Sequence, residues 1–201
     1  MSNQSANIPI EKHPLEPFLP EGARILMLGS FPPKQEKWSM EFFYPNFIND
    51  MWRIMGLIFF HDKEHFVAED ETGRKIKRFD RDKCVRFAAE KGIAMYDTAS
   101  EVRRLKDNAS DKFLEVVTPT DLHELLAKIP SCQAIVTTGQ KATDVILETF
   151  GCEEPAVGHC TEFSICDRPM RLWRMPSSSR AYPLSLEKKA EFYRNLFTSE
   201  I

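Results

Sequence analysis

The stretch Arg24-Ile-Leu-Met-Leu-Gly29-Ser-Phe-Pro-Pro33 decides the fold. A short apolar run closed by glycine and proline has the pattern of a buried parallel strand that ends in a sharp turn. Similar runs recur at residues 92–97, 133–139 and 170–175. Helical spacing lies between them. Residues 49–59 place Trp52, Met55 and Phe59 on one face, and residues 81–91 carry Cys84, Val85, Phe87 and Ala88 before Gly92 as a stop. Further helices are expected over 120–129, with Thr120 as its cap, over 140–150 and over 185–197. Strands alternating with helices predict an α/β fold, a three-layer αβα sandwich around a mostly parallel four-stranded sheet.

Two stretches break the alternation. Residues 61–80 are charged and carry Glu71-Thr-Gly73 between two short apolar segments, which predicts an exposed hairpin. Residues 162–173 suggest a second hairpin leading into the last strand. The first twenty residues hold Pro9, Pro14, Pro17 and Pro20, so residues 1–23 are expected to form an extended arm over a single domain at 24–201.

Composition narrows the function classes. A chain of 201 residues supports one full core. Its net charge of −3 excludes a broad basic surface that coats nucleic acid, while leaving room for a local patch that holds one or two phosphates. No apolar run approaches the ~18 residues of a membrane span, and the polar start lacks a signal-peptide pattern, so a cytoplasmic protein is expected. Five cysteines without CxxC pairing suit a reducing compartment. Cys152, His159, Cys160 and Cys166 cluster at irregular spacing without a zinc knuckle, and they are expected to bind no metal.

Two loops carry the chemistry. Gly29-Ser30-Phe31-Pro32 follows the first strand, where a tight turn aims backbone amides into a crevice and can stabilise charge on a leaving group. It leads to Phe43-Tyr44-Pro-Asn-Phe-Ile-Asn49-Asp-Met-Trp52. The second loop, Met175-Pro-Ser177-Ser178-Ser179-Arg180-Ala-Tyr182, follows the last strand and offers hydroxyls, amides and a guanidinium. Gly139-Gln-Lys141 opens a helix directly after a strand, as at other phosphate sites. Neither a Walker loop, a Gly-x-Gly-x-x-Gly fingerprint nor a Gly-x-Ser-x-Gly elbow is present.

Together the two loops resemble the active-site motifs of the uracil-DNA glycosylase superfamily, and most closely its branch of mismatch-specific and hypoxanthine-DNA glycosylases. The hypoxanthine branch has the same Gly-Ser-Phe-Pro turn, followed by an aromatic pair and Asn-x-aromatic-Trp, here Phe43-Tyr44 and Asn49-Asp-Met-Trp52. The resemblance implies a metal-independent, cofactor-free, monofunctional DNA glycosylase of base-excision repair. Its partner would be DNA with a damaged or mispaired base, uracil ranking ahead of hypoxanthine, and the enzyme is expected to be a monomer.

The resemblance assigns catalysis to Asn49, and base binding to Gly29, Ser30, Phe31 and Tyr44, whose ring would stack on the flipped base. DNA binding falls to Ser177, Ser178, Ser179, Arg180, Tyr182, Gly139 and Lys141. By position alone Asn49 reads as the cap of the helix that follows it, a reading the resemblance reverses, and Asp97, at a strand end, is a reserve catalytic candidate. The chain departs from the branch at Asn46-Phe47-Ile48, where His-Pro-Arg is usual, and Met175 stands where some branches carry histidine. Loss of the His-Pro-Arg rim, and of the Asn that the mismatch-specific loop carries where Phe31 stands here, keeps open a second reading, an inactive module of the same fold that binds DNA or a nucleotide.

Overall fold

In the computed structural model, which describes residues 8–106, 113–165 and 167–201, the chain runs β1 (Ile10–Lys12), β2 (Ile25–Gly29), α1 (Met51–Phe60), β3 (Val67–Glu69), β4 (Lys75–Phe79), α2 (Arg81–Glu90), β5 (Ile93–Asp97), β6 (Ala99–Arg104), β7 (Leu114–Pro119), α3 (Leu122–Lys128), β8 (Ala134–Thr138), α4 (Gln140–Phe150), β9 (His159–Ile165), β10 (Arg168–Met175) and α5 (Leu186–Glu200). The central sheet has the order β5-β2-β8-β10-β9. Its first four strands are parallel, and β9 is antiparallel at the edge.

The expected sheet of four strands is therefore one short. The hairpin foreseen at 162–173 does form, and its first arm, β9, pairs along seven residues of β10. Its alternating exposure marks an edge strand, whereas Ile25 to Leu28 and Ala134 to Val136 are wholly buried, as strands covered on both faces must be. The charged excursion at 61–80 contains the two-stranded hairpin β3–β4. A separate three-stranded sheet, β1-β6-β7, was not foreseen. β1 spans only three residues, and Glu and Arg interrupt the apolar positions of β6 and β7, so the segments carry little apolar periodicity. Of the cysteine cluster, Cys152 is half-buried and Cys160 exposed, and Cys166 lies outside the described residues.

Helix caps follow local chemistry. Asp80 and Ser185 accept the amide hydrogens of Lys83 and Lys188. The cap of α3 is Asp121, which takes the Glu124 amide, and not Thr120. The Thr120 hydroxyl instead donates to the Asp97 carbonyl at 2.7 Å, since a buried hydroxyl needs a partner and that carbonyl is within reach. Helices α1 and α5 pack on each other, α5 on β10, α4 on β8 and α2 on β5. Among the described residues no helix is long and apolar enough to cross a membrane.

Gly56 shows how tightly α1 is closed. The helix ends at His61 with φ 56°, and the Asp62 amide turns back to the Gly56 carbonyl at 3.2 Å. A Cβ at Gly56 would collide with the Asp62 carbonyl oxygen. Helix propensity alone favours Ala over Gly by about 1 kcal/mol, but this collision reverses the sign. Gly56→Ala is expected to destabilise the protein by about 1–3 kcal/mol in urea melts; a stabilised variant would contradict this packing.

Candidate functional site

The parallel strands β2, β5, β8 and β10 bring their carboxyl ends to one edge of the sheet. From β2 the chain steps first to β5 on one side, and later to β8 and β10 on the other. Ligand crevices in open α/β sheets form where the direction of winding reverses. A cleft of about 340 Å³ lies there, lined by Gly29, Ser30, Phe31, Tyr44, Asn49, Asp97, Thr138, Ser177, Ser178, Ser179 and Arg180, among others. Both sequence motifs thus face a single hollow. Gly139 sits just behind it, where an added Cβ would lie 3.9 Å from the Ser177 Cβ. Lys141 and Tyr182 are half-buried and do not line it.

On the floor, Gly29 and Asp97 are neighbours across the β2–β5 pair. A Cβ at Gly29 would collide with Asp97 Oδ1, so only glycine lets the carboxylate lie against the strand. Tyr44 reaches the same floor from the α1 side. Its backbone has φ 53°, a strained conformation for an aromatic residue, and its hydroxyl lies 3.3 Å from Thr138 Oγ1. Burial raises the Tyr44 phenol well above its ordinary pKa and Asp97 adds to the rise, so the ring presents a neutral hydroxyl. Phe31 turns toward the small sheet, packing against Ala99, Val102 and Leu114. Phe43 and Trp52 are core residues, and the Trp52 indole donates to the Phe43 carbonyl at 2.9 Å.

Asn49 stands at the mouth of α1 and does part of a cap's work: its Oδ1 accepts the Met51 amide hydrogen at 2.9 Å. Among the described residues its amide NH₂ has no hydrogen-bond partner, which leaves two donors at the cleft wall.

The residue that joins the two motifs is Asp50. Its amide donates to the Ser178 carbonyl at 2.9 Å. One carboxylate oxygen accepts from Lys189 Nζ at 2.9 Å and the other from Arg180 Nη2 at 3.2 Å. Lys189, on α5, is wholly buried and also donates to the Ser179 carbonyl at 2.8 Å. The Arg180 side chain is 52% exposed, so one edge of its guanidinium meets Asp50 while the rest faces solvent.

Sequence reasoning missed Asp50, Lys189 and His13. Lys189 looks like a solvated cation beside Lys188, yet it shares helical spacing with Tyr193, Leu196 and Phe197, all buried. That spacing was the available signal. His13 comes from the N-terminal arm, its ring 2% exposed and its Nε2 2.9 Å from Asp97 Oδ2.

Asp50 leaves a testable mark on stability. Removing it strands Lys189 as an unpaired buried cation, a loss that typically costs about 3–5 kcal/mol. Arg180 is half in solvent, and its pairing is worth about 0–1 kcal/mol. Asp50→Ala is therefore expected to lower the melting temperature sharply and Arg180→Ala hardly at all; equal effects in calorimetry would contradict the arrangement.

No family model and no curated protein matches the sequence. Among solved structures, the chain is similar to the solution NMR structure of a putative uracil DNA glycosylase from Methanosarcina acetivorans, with a TM-score of 0.58 and 20% sequence identity, over 94% of this chain and 99% of that one. At that identity the likeness establishes the fold, a mixed α/β architecture with a mostly parallel central sheet.

Proposed function

We propose that the protein is a DNA glycosylase that hydrolyses the N-glycosidic bond of an extruded base, with uracil or another deaminated base as substrate. The observation that carries this reading is the meeting of the Gly29–Phe31 and Tyr44–Asn49 segments with the Ser177–Arg180 loop across one cleft, held by Asp50. The opposite directions of winding about β2 suit the α/β sandwich of such enzymes.

In this reading the Ser177–Ser179 hydroxyls and Arg180 grip backbone phosphates and hold the strand over the cleft, with Gly139 and Lys141 adding to the same edge. Tyr182 stands against the duplex. An extruded base has lost its stacking neighbours, and the Tyr44 ring restores roughly 1–3 kcal/mol of that stacking. The free NH₂ of Asn49 and the backbone of the Gly29–Phe31 turn donate hydrogen bonds as negative charge grows on the departing base. The neutral Tyr44 hydroxyl adds polarity without repelling that charge. No metal or organic cofactor is required by this donor set, and the protein acts as a monomer on its DNA partner.

A second reading, a module of the same fold that binds DNA without cleaving it, draws on Ile48, a 58% exposed hydrophobic residue at the cleft rim in place of a cation. Base release separates the two. The wild type is expected to liberate free base from duplexes carrying single uracil, hypoxanthine or G:T sites, detected by mass spectrometry. Asn49→Ala is expected to keep duplex binding and lose single-turnover release by about 10²-fold or more. A helix cap alone would cost about 1 kcal/mol of stability with turnover intact, and that outcome would remove Asn49 from catalysis.

A further inference from the structure

Among the described residues that line the cleft, Asp97 is the only one with a carboxylate. It is 8% exposed, so its charge is poorly screened by water. One oxygen lies against Gly29, and the other is 2.9 Å from His13 Nε2. His13 is itself fixed. Its Nδ1 lies 2.8 Å from the Leu15 carbonyl and 3.2 Å from the Leu15 amide, and its ring packs among Phe31, Phe43 and Tyr96 at centroid distances of 5.3, 6.4 and 4.5 Å. A carboxylate accepts and cannot donate, so in the neutral tautomer with its hydrogen on Nε2 the ring donates to Asp97 and its bare Nδ1 accepts from the Leu15 amide. The contact therefore locks one Asp97 oxygen and fixes the direction of the other. A buried carboxylate held in this way, in a cleft otherwise lined by neutral groups and one rim arginine, is a negative point charge of set position.

We infer that Asp97 is a catalytic residue of this cleft, and that His13, supplied by the N-terminal arm, is its positioning residue. The inference rests on the glycosylase reading. As the C1′–N bond breaks, its electron pair leaves with the base and the sugar becomes cationic. The Asp97 carboxylate stabilises that cation through its charge. Water then forms the O–C1′ bond, and its proton passes to Asp97 and on to the departed base, so the products are a free neutral base and an abasic sugar. Asn49, whose amide oxygen is already engaged by the helix, serves the base as a donor instead of activating the water. The arm thereby becomes part of the site. Tyr96 and Tyr44 lie in the same field: burial raises both phenols and the Asp97 charge adds to each rise, the two together with Glu16 taking Tyr96 to about 12.

A binding measurement tests this without requiring turnover. Two duplexes are compared, one with a cationic pyrrolidine in place of the sugar and one with neutral tetrahydrofuran. The wild type is expected to bind the cationic duplex more tightly by about tenfold or more, as transition-state mimics bind. Asp97→Asn keeps the size of the side chain and is expected to bring the ratio near one. His13→Leu, which removes the donor, should lower the ratio, and His13→Gln, which retains an amide donor, should restore much of it. A purely structural His13 would change the melting temperature and leave the ratio alone. A wild-type ratio near one, a ratio that survives Asp97→Asn, or no binding to either duplex would overturn the inference. If lesion duplexes still release base while the ratio is one, the glycosylase reading stands and Asp97 falls. If the ratio holds but no base is released, the charge assignment stands and the glycosylase reading falls.

Discussion

The buried pair of Asp50 and Lys189 is the contact on which the cleft depends. Two charges removed from water are costly unless each is fully satisfied. Here the carboxylate meets Lys189 and Arg180, and the ammonium meets Asp50 and the Ser179 carbonyl. These bonds run from the start of α1 to the loop after β10 and to α5, three parts of the chain more than a hundred residues apart at the extremes. A hydrophobic contact could also hold them near one another, but it would not fix their register. Directional bonds to Ser178 and Ser179 carbonyls do, and so set where the serine loop stands relative to Asn49.

Much of the framework was legible in the sequence because it depends on local patterns. Runs such as Ile25–Leu28 and Ala134–Val136 are apolar throughout because both of their faces are covered, and Gly-Pro punctuation marked where they stop. Residues 140–150 carried helical spacing and form α4 over those same residues. The fifth strand was foreseen as part of a hairpin and miscounted, since nothing local distinguishes an edge strand that joins the main sheet from a hairpin that stands apart. The small sheet escaped because β6 and β7 alternate polar residues against a buried patch of only Ala99, Val102 and Leu114.

The candidate site divides in the same way. Gly29 and the serine loop could be singled out because they follow strands, and Tyr44 and Asn49 because the motif they belong to resembles a known one. Asp50, Lys189 and His13 could not, because their significance comes from partners remote in sequence: 139 residues separate Asp50 from Lys189, and 84 separate His13 from Asp97. Arg180, expected to meet phosphate, already holds Asp50 and keeps half its surface in solvent. With Lys189 as its standing counter-ion, Asp50 would not be left unpaired if Arg180 turned outward. Tyr44 carries a positive φ and Gly29 has no room for a side chain, and both lie on the floor beside Asp97.

The most direct test of the central claim, that this cleft receives DNA through both motif loops, is amide chemical-shift mapping of the protein on titration with an abasic-site duplex. The account predicts that shifts concentrate at Gly29–Phe31, Tyr44–Asp50, Asp97 and Ser177–Arg180, and weaken together as salt is raised. Shifts confined to the separate hollow at the opposite end of β10, by Glu162, Ser164 and Arg168, with the two loops unmoved, would contradict it.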